Sequence, residues 1–186
     1  MSPRRFLNLL PKKFILTKIL NYIKFRISVF TKFKSMNYLP VTMDIEPTTG
    51  CNFRCTMCQV SSPDFKAKNM NLETFKKIIN ENKQLIKIKL QGMGEPLVNK
   101  HIYQMISYAK NFGIATELIC NGSMLTQNNV ENLLKNNLAK LTISIDGASK
   151  EVFEKIRVKS NFNQVIQNSK NFKKMISKTF IRPEFS

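Results

Sequence analysis

This sequence predicts one α/β domain built on a parallel sheet, and two observations carry that expectation. From residue 43 onward, short β-rich runs alternate with longer stretches whose apolar residues recur at helical spacing, the pattern of repeated βα units. The unusual residues also fall at one edge: Cys51 to Cys58, Gly92 to Pro96, Asn121-Gly122 and Ser144 to Gly147 each follow or end a predicted strand. In parallel βα folds that edge is where ligands bind. At 186 residues and 42% hydrophobic content, the chain can bury one substantial core.

The elements follow in order. Residues 1–40 form a basic N-terminal segment in which Leu16, Ile19, Leu20, Ile23, Ile27 and Phe30 recur at helical spacing among Lys18, Lys24, Arg26 and Lys32. That pattern predicts an amphipathic helix. One expectation lays residues 1–35 on an anionic membrane surface; the other packs the helix against the rest of the chain or a partner, with its lysines solvated. Residues 41–186 form the core domain. Its first strand is Thr42 to Pro47, followed by a helix from about Asn71 to Asn82; the second is Leu85 to Gln91, followed by a helix carrying Ile102, Met105, Ile106 and Ala109 and ending near Gly113. Ile114 to Cys120 is the third strand, and Thr126 caps the helix after it. Leu141 to Ile145 is the fourth, followed by helical patterns over Ser149 to Arg157 and Phe162 to Ile176. That makes four units. A fifth strand is expected to begin near Phe180-Ile181, where little chain remains.

Thirty Lys and Arg oppose twelve Asp and Glu, a net charge of +18. Nine of the basic residues precede Asp44, the first acidic residue, so half the excess sits in the N-terminal segment. The remaining lysines are scattered among asparagines and isoleucines and read as solvated helix faces, so a nucleic-acid partner is not expected. Only four cysteines occur, three of them within eight residues, which argues against a disulfide scaffold and for thiol ligands in a reducing compartment. No apolar run is long enough to span a bilayer. The cytoplasm is the expected location.

Cys51, Cys55 and Cys58 are spaced C-x3-C-x2-C within one loop, so three thiolates can converge and leave one metal position open. A structural zinc site would need a fourth ligand. Cys120 and His101 are the candidates, and they read instead as an apolar strand residue and a solvated residue at a helix start. An iron–sulfur cluster on three cysteines would expose one iron to a small molecule. Spacing alone leaves both open.

In type, order and placement these residues resemble the radical S-adenosylmethionine (SAM) superfamily. Cys51, Cys55 and Cys58 are similar to its cluster-binding signature after the first strand, and Gly92-Met93-Gly94-Glu95-Pro96 looks like its glycine-glutamate-proline turn after the second. Met93 stands where many members have a second glycine. Ser144-Ile145-Asp146-Gly147 resembles the strand-four motif, and Arg157 an arginine that pairs with the methionine carboxylate in some members. Met57 takes the place of the commoner aromatic residue beside the adenine. Each motif taken singly has a purely structural reading as a turn or cap. It is their joint order, over residues 42–181, that carries the resemblance.

The resemblance implies a partial (β/α) barrel of the TIM type holding a [4Fe–4S] cluster on Cys51, Cys55 and Cys58. It implies SAM contacts from Met57, Gly92, Gly94, Glu95, Pro96, Asn121, Ser144, Asp146 and Arg157. The implied activity is reductive cleavage of SAM to a 5′-deoxyadenosyl radical that abstracts hydrogen from a substrate, with a flavodoxin- or ferredoxin-type protein as electron donor. Glu46-Pro47-Thr48 and the stretch from Ser144 to Arg157 most resemble members with a C-terminal auxiliary-cluster (SPASM-type) domain, which often modify peptides. RNA modification is the competing enzymatic expectation, and a non-catalytic zinc- or RNA-binding module the expectation of another class. The family's partial barrel needs six units, so this chain is expected to be C-terminally incomplete, with an open edge on strand four and uncovered apolar surface.

Overall fold

The computed structural model describes residues 15–31, 37–177 and 183–185. Helix α1 (Ile15–Thr31) precedes strand β1 (Thr42–Ile45), and four units follow: α2 (Leu72–Glu81) with β2 (Lys87–Leu90), α3 (Ile102–Asn111) with β3 (Ala115–Cys120), α4 (Gln127–Lys135) with β4 (Lys140–Ile143), and the pair α5 (Lys150–Ile156) and α6 (Phe162–Ser177) with β5 (Glu184–Phe185). The sheet is parallel throughout, in the order β1-β2-β3-β4-β5. Each predicted helix is present, and three have a side-chain cap at their start: Asn71, Thr126 and Ser149 accept from the backbone N–H groups of Thr74, Asn129 and Val152.

The end of the sheet is corrected. A fifth strand exists, beyond the predicted place: Glu184 lies opposite Lys140 and Phe185 opposite Leu141, so β4 is not an edge. Phe185 is held by its ring, 5.2 Å from that of Phe172 on α6. Phe180 and Ile181 lie outside the described residues.

The two faces of the sheet differ in chemistry. Register partners in parallel strands project to the same side. One side carries Ile45, Ile88, Leu90, Leu118, Cys120, Leu141 and Ile143, which form one core with Phe75 and Ile79 of α2, Met105 and Ile106 of α3, Val130 and Leu133 of α4, Phe153 of α5, and Val165 and Phe172 of α6. The other side carries a row that crosses all five strands, Asp44, Lys89, Glu117, Lys140 and Glu184, alternating in sign. Glu117 is the buried member, with Lys87 Nζ 3.2 Å and Lys140 Nζ 3.5 Å from its carboxylate. Among the described residues this helix-free face is therefore crossed by a charged row rather than an apolar one.

Helix α1 packs on the body, as one of the two expectations had it, but through an unexpected face. Lys18, expected in water, is 2% exposed and donates to the carbonyls of Leu85 and Gly113. Asn21 exchanges two hydrogen bonds with the Leu39 backbone, at 2.8 and 2.9 Å. Among the described residues no helix is long and apolar enough to cross a membrane.

Candidate functional site

The cysteine loop leaves β1 and is closed at its base by Asn99, a buried residue whose amide donates to the carbonyls of Pro47 and Met70 at 2.6 and 2.9 Å. Within the loop the Arg54 guanidinium donates to the carbonyls of Cys51 (2.6 Å) and Phe53 (2.8 Å), and Ser61 Oγ donates to that of Cys55 (2.7 Å). The backbone N–H groups of Arg54 and Thr56 donate to Val158 and Ile156, so the loop is pinned to the segment that carries Arg157.

All three cysteines are free and half-buried, and they line one cavity of about 310 Å³ at the C-terminal edge of the sheet. Met57, Gly92, Gly94, Glu95, Asn121, Ser144 and Arg157 line it as well. Two predicted residues do not. Pro96 is buried at the start of a 3-10 turn, Pro96–Val98, and shapes the chain after Glu95. Asp146 grips the Arg157 guanidinium, accepting from Nη2 at 2.6 Å and Nε at 2.7 Å. It holds the arginine at the cavity wall, with Phe153 beneath the cation at 5.9 Å.

The glycine turn is shaped by close approach. A Cβ on Gly94 would collide with the backbone carbonyls of Thr48 and Gly50, and one on Gly92 with the Glu46 carboxylate, which also accepts from Met93 N at 2.5 Å. Glu95 is 2% exposed; its two oxygens accept from Asn121 N at 2.7 Å and Leu97 N at 3.2 Å. Burial raises its carboxyl to about 7, against those hydrogen bonds and the Arg157 charge. Asn121 is buried in a network: it donates to Asn52 Oδ1 at 2.9 Å and accepts from Ser123 N and Oγ at 2.9 and 2.7 Å. Gly122 turns the chain after it at φ 77.

Sequence reasoning missed Gln91, Met93, Ile119, Phe53 and Val60 in the cavity wall. Gln91 was findable, since it continues the alternation of Lys87 and Lys89 on the polar side of β2. Asn52 and Ser123 carry no signature of their own; their role comes only from the tertiary contact with Asn121.

The donor set fits a three-cysteine cluster. Cys120, which also borders the cavity, is fully buried in the apolar column of β3, and burial pushes its thiol well up, whereas the metal ligand is the thiolate. His101 sits at the start of α3, bonded to Gln104 at 2.7 Å, and does not border the cavity. Burial raises the thiols of Cys51 and Cys55; for Cys55 the Arg157 charge opposes it, and for both the neighbouring cysteines reinforce it. Bound iron would supply the compensating positive charge. Among the described residues no three His, Cys, Asp or Glu side chains are gathered as a single metal ion would gather them.

Together these features define a parallel βα protein with three free cysteines around one cavity on the C-terminal edge of its sheet. A model of the radical SAM superfamily matches residues 45–182. The chain belongs to the radical SAM superfamily, whose cofactors are a [4Fe–4S] cluster and SAM. The AdoMet-dependent heme synthase of Methanosarcina barkeri is 30% identical over 125 residues, 66% of this chain and 36% of that protein. The mycofactocin maturase MftC of Mycolicibacterium smegmatis is 27% identical over 134 residues, 71% of this chain and 34% of that protein. Streptococcus suis SuiB has the same fold: bound to S-adenosylmethionine it superposes with a TM-score of 0.64 at 17% identity, covering 80% of this chain and 34% of SuiB. Bound to its precursor peptide SuiA, the TM-score is 0.64 at 16% identity, over 83% and 35%. The chain spans about a third of the length of these curated relatives.

Proposed function

We propose that this chain carries the cluster- and SAM-binding part of an enzyme that acts by radical chemistry on a peptide. The observation that supports it is the convergence of Cys51, Cys55, Cys58, Gly92, Gly94, Asn121, Ser144 and Arg157 on one cavity. The family's cofactors supply, when bound, one-electron cleavage of a sulfonium to a 5′-deoxyadenosyl radical. The residues of the chain bind and orient. Cys51, Cys55 and Cys58 would hold the cluster through their thiolates, and carbonyls of the glycine turn would accept from the methionine ammonium. Arg157, held by Asp146, would pair with the methionine carboxylate, and Met57, 62% exposed, would pack on the adenine. The hydrogen bonds that join buried Asn121 and Ser123 to Asn52 at the surface hold the end of β3 beneath the ligand.

A peptide substrate is favoured by the relatives, which include a mycofactocin maturase and a PqqA peptide cyclase. The same reading places the enzyme in the cytoplasm, with a flavodoxin- or ferredoxin-type electron donor. The test is anaerobic reconstitution with iron and sulfide, followed by an iron count and the cluster spectrum. We expect about four irons per chain, lost on replacing any of Cys51, Cys55 or Cys58 by Ala and kept in Cys120→Ala. Stoichiometric zinc with no cluster spectrum would overturn the reading.

A further inference from the structure

Helix α1 turns its polar side inward and its apolar side to solvent. Its inner side is anchored by Lys18 on the carbonyls of Leu85 and Gly113, by Asn21 on Leu39, and by the ring of Phe25, 5.3 Å from that of Tyr38. On the other side Leu16, Ile19, Leu20, Ile23, Ile27 and Phe30 are 68, 42, 51, 47, 55 and 88% exposed. At about 100° per residue these six fall in a stripe roughly 100° wide, diametrically opposite the anchoring side. Lys24 flanks the stripe on one side and Arg26 on the other, both exposed.

Six large apolar side chains in one exposed row mark an interaction surface. The charge around them selects the occupant. Its exposed charges, Lys24 and Arg26, are both cationic, and the first 43 residues hold no Asp or Glu, so the described surface is complementary to an anionic one. A straight apolar stripe edged by cations on both sides is the cross-section of a helix lying in the headgroup plane of a bilayer. The stripe is convex and runs about 22 Å along the axis, at 1.5 Å per residue, which suits a continuous lipid surface better than a pocket.

We propose that α1 docks this protein on an anionic membrane surface, with its apolar stripe down and the ligand-binding edge of the sheet turned toward water. The orientation follows from the anchors. Leu85 and Gly113 lie just before β2 and β3, whereas the cysteine loop and its cavity lie past the opposite ends of the strands. Residues 1–14 and 32–36, which hold further lysines and arginines, lie outside the described residues.

The chain contains no Trp, so an introduced one is a unique reporter. The purified 186-residue protein is floated with phosphatidylglycerol-containing vesicles and with pure phosphatidylcholine vesicles, alongside Ile23→Asp/Ile27→Asp and Lys24→Glu/Arg26→Glu. We expect partitioning onto the anionic vesicles alone, weakened by salt and reduced at least about tenfold in both double variants, with circular dichroism unchanged because all four positions are exposed. Brominated lipid should quench Phe30→Trp and leave Val98→Trp, at the other end of the sheet, unquenched. Equal partitioning to both vesicle types, no partitioning, or equal quenching of the two reporters would overturn the proposal. Loss of an oligomer in the stripe variant with no change in lipid binding would assign the surface to a protein partner instead.

Discussion

Asp146 and Glu95 show how carboxylates at one edge take different tasks from their surroundings. Asp146 is exposed and pairs its charge with Arg157, at 2.6 Å, so it acts on the ligand through the arginine. Asp146→Ala should leave the iron content intact and weaken SAM binding about tenfold, read by equilibrium dialysis of the reconstituted protein. Equal iron loss would show that the pair instead holds the cysteine loop. Glu95 sits in the interior, where burial raises its carboxyl to about 7 from an ordinary 4.5. A carboxyl raised by folding favours the folded state most fully below its unfolded pKa and loses that contribution as pH rises through the folded value. For the cluster-free chain that is roughly 3 kcal/mol lost between about pH 4.5 and 7. Glu95→Gln removes the titration, so its urea unfolding free energy should lack this slope, although one hydrogen bond from Asn121 or Leu97 is lost at every pH.

At the scale of elements, strands and helices were legible wherever a periodic core face and a cap agreed. The helix after Thr126 is one case: Val130 and Leu133 are fully buried and the threonine caps Asn129 N. β5 was misplaced because two residues after Pro183 carry no period; it is specified by tertiary contacts, Phe185 on Phe172 and Glu184 opposite Lys140. Helix α1 was found as a helix but its buried side was not. Periodicity points to the apolar stripe, whereas the surface that α1 meets offers carbonyl oxygens, which an ammonium and an amide satisfy and leucine does not. Of the site, the cysteines, glycines and Arg157 were legible by order along the chain, while the network of Asn52, Asn121 and Ser123 exists only across the fold. Burial lowers the Lys18 ammonium to about 8, so it remains charged at neutral pH. Lys18→Met keeps the bulk and removes the donors, leaving two carbonyls unmatched. We expect α1 to detach, seen as faster tryptic cleavage at Lys24 and Arg26 and faster amide exchange confined to residues 15–31.

In the whole molecule, a parallel sheet normally covered on both faces here keeps one face polar, and Glu117 is the centre of that face. Its carboxylate is 7% exposed while Lys87 and Lys140 are 40 and 30% exposed, so the lysines lose less than the glutamate would if the pairs broke. Glu117→Gln should cost about 1–2 kcal/mol in urea unfolding, discounted for the solvent that reaches both lysines. The row to which Glu117 belongs has a wider meaning. Asp44, Lys89, Glu117, Lys140 and Glu184 alternate in sign from one outer strand to the other, so each strand carries at this level the counter-charge of its neighbours. Such a row works as an address. A two-residue slip of β4 against β3 keeps its side chains on the same faces yet sets Lys140 opposite Ala115 or Ile119, and the mismatch is legible to the folding chain. The last sign in the row, on Glu184, extends the address outward: a strand laid beside β5, from whatever polypeptide, is welcomed at this level by a cation and repelled by an anion.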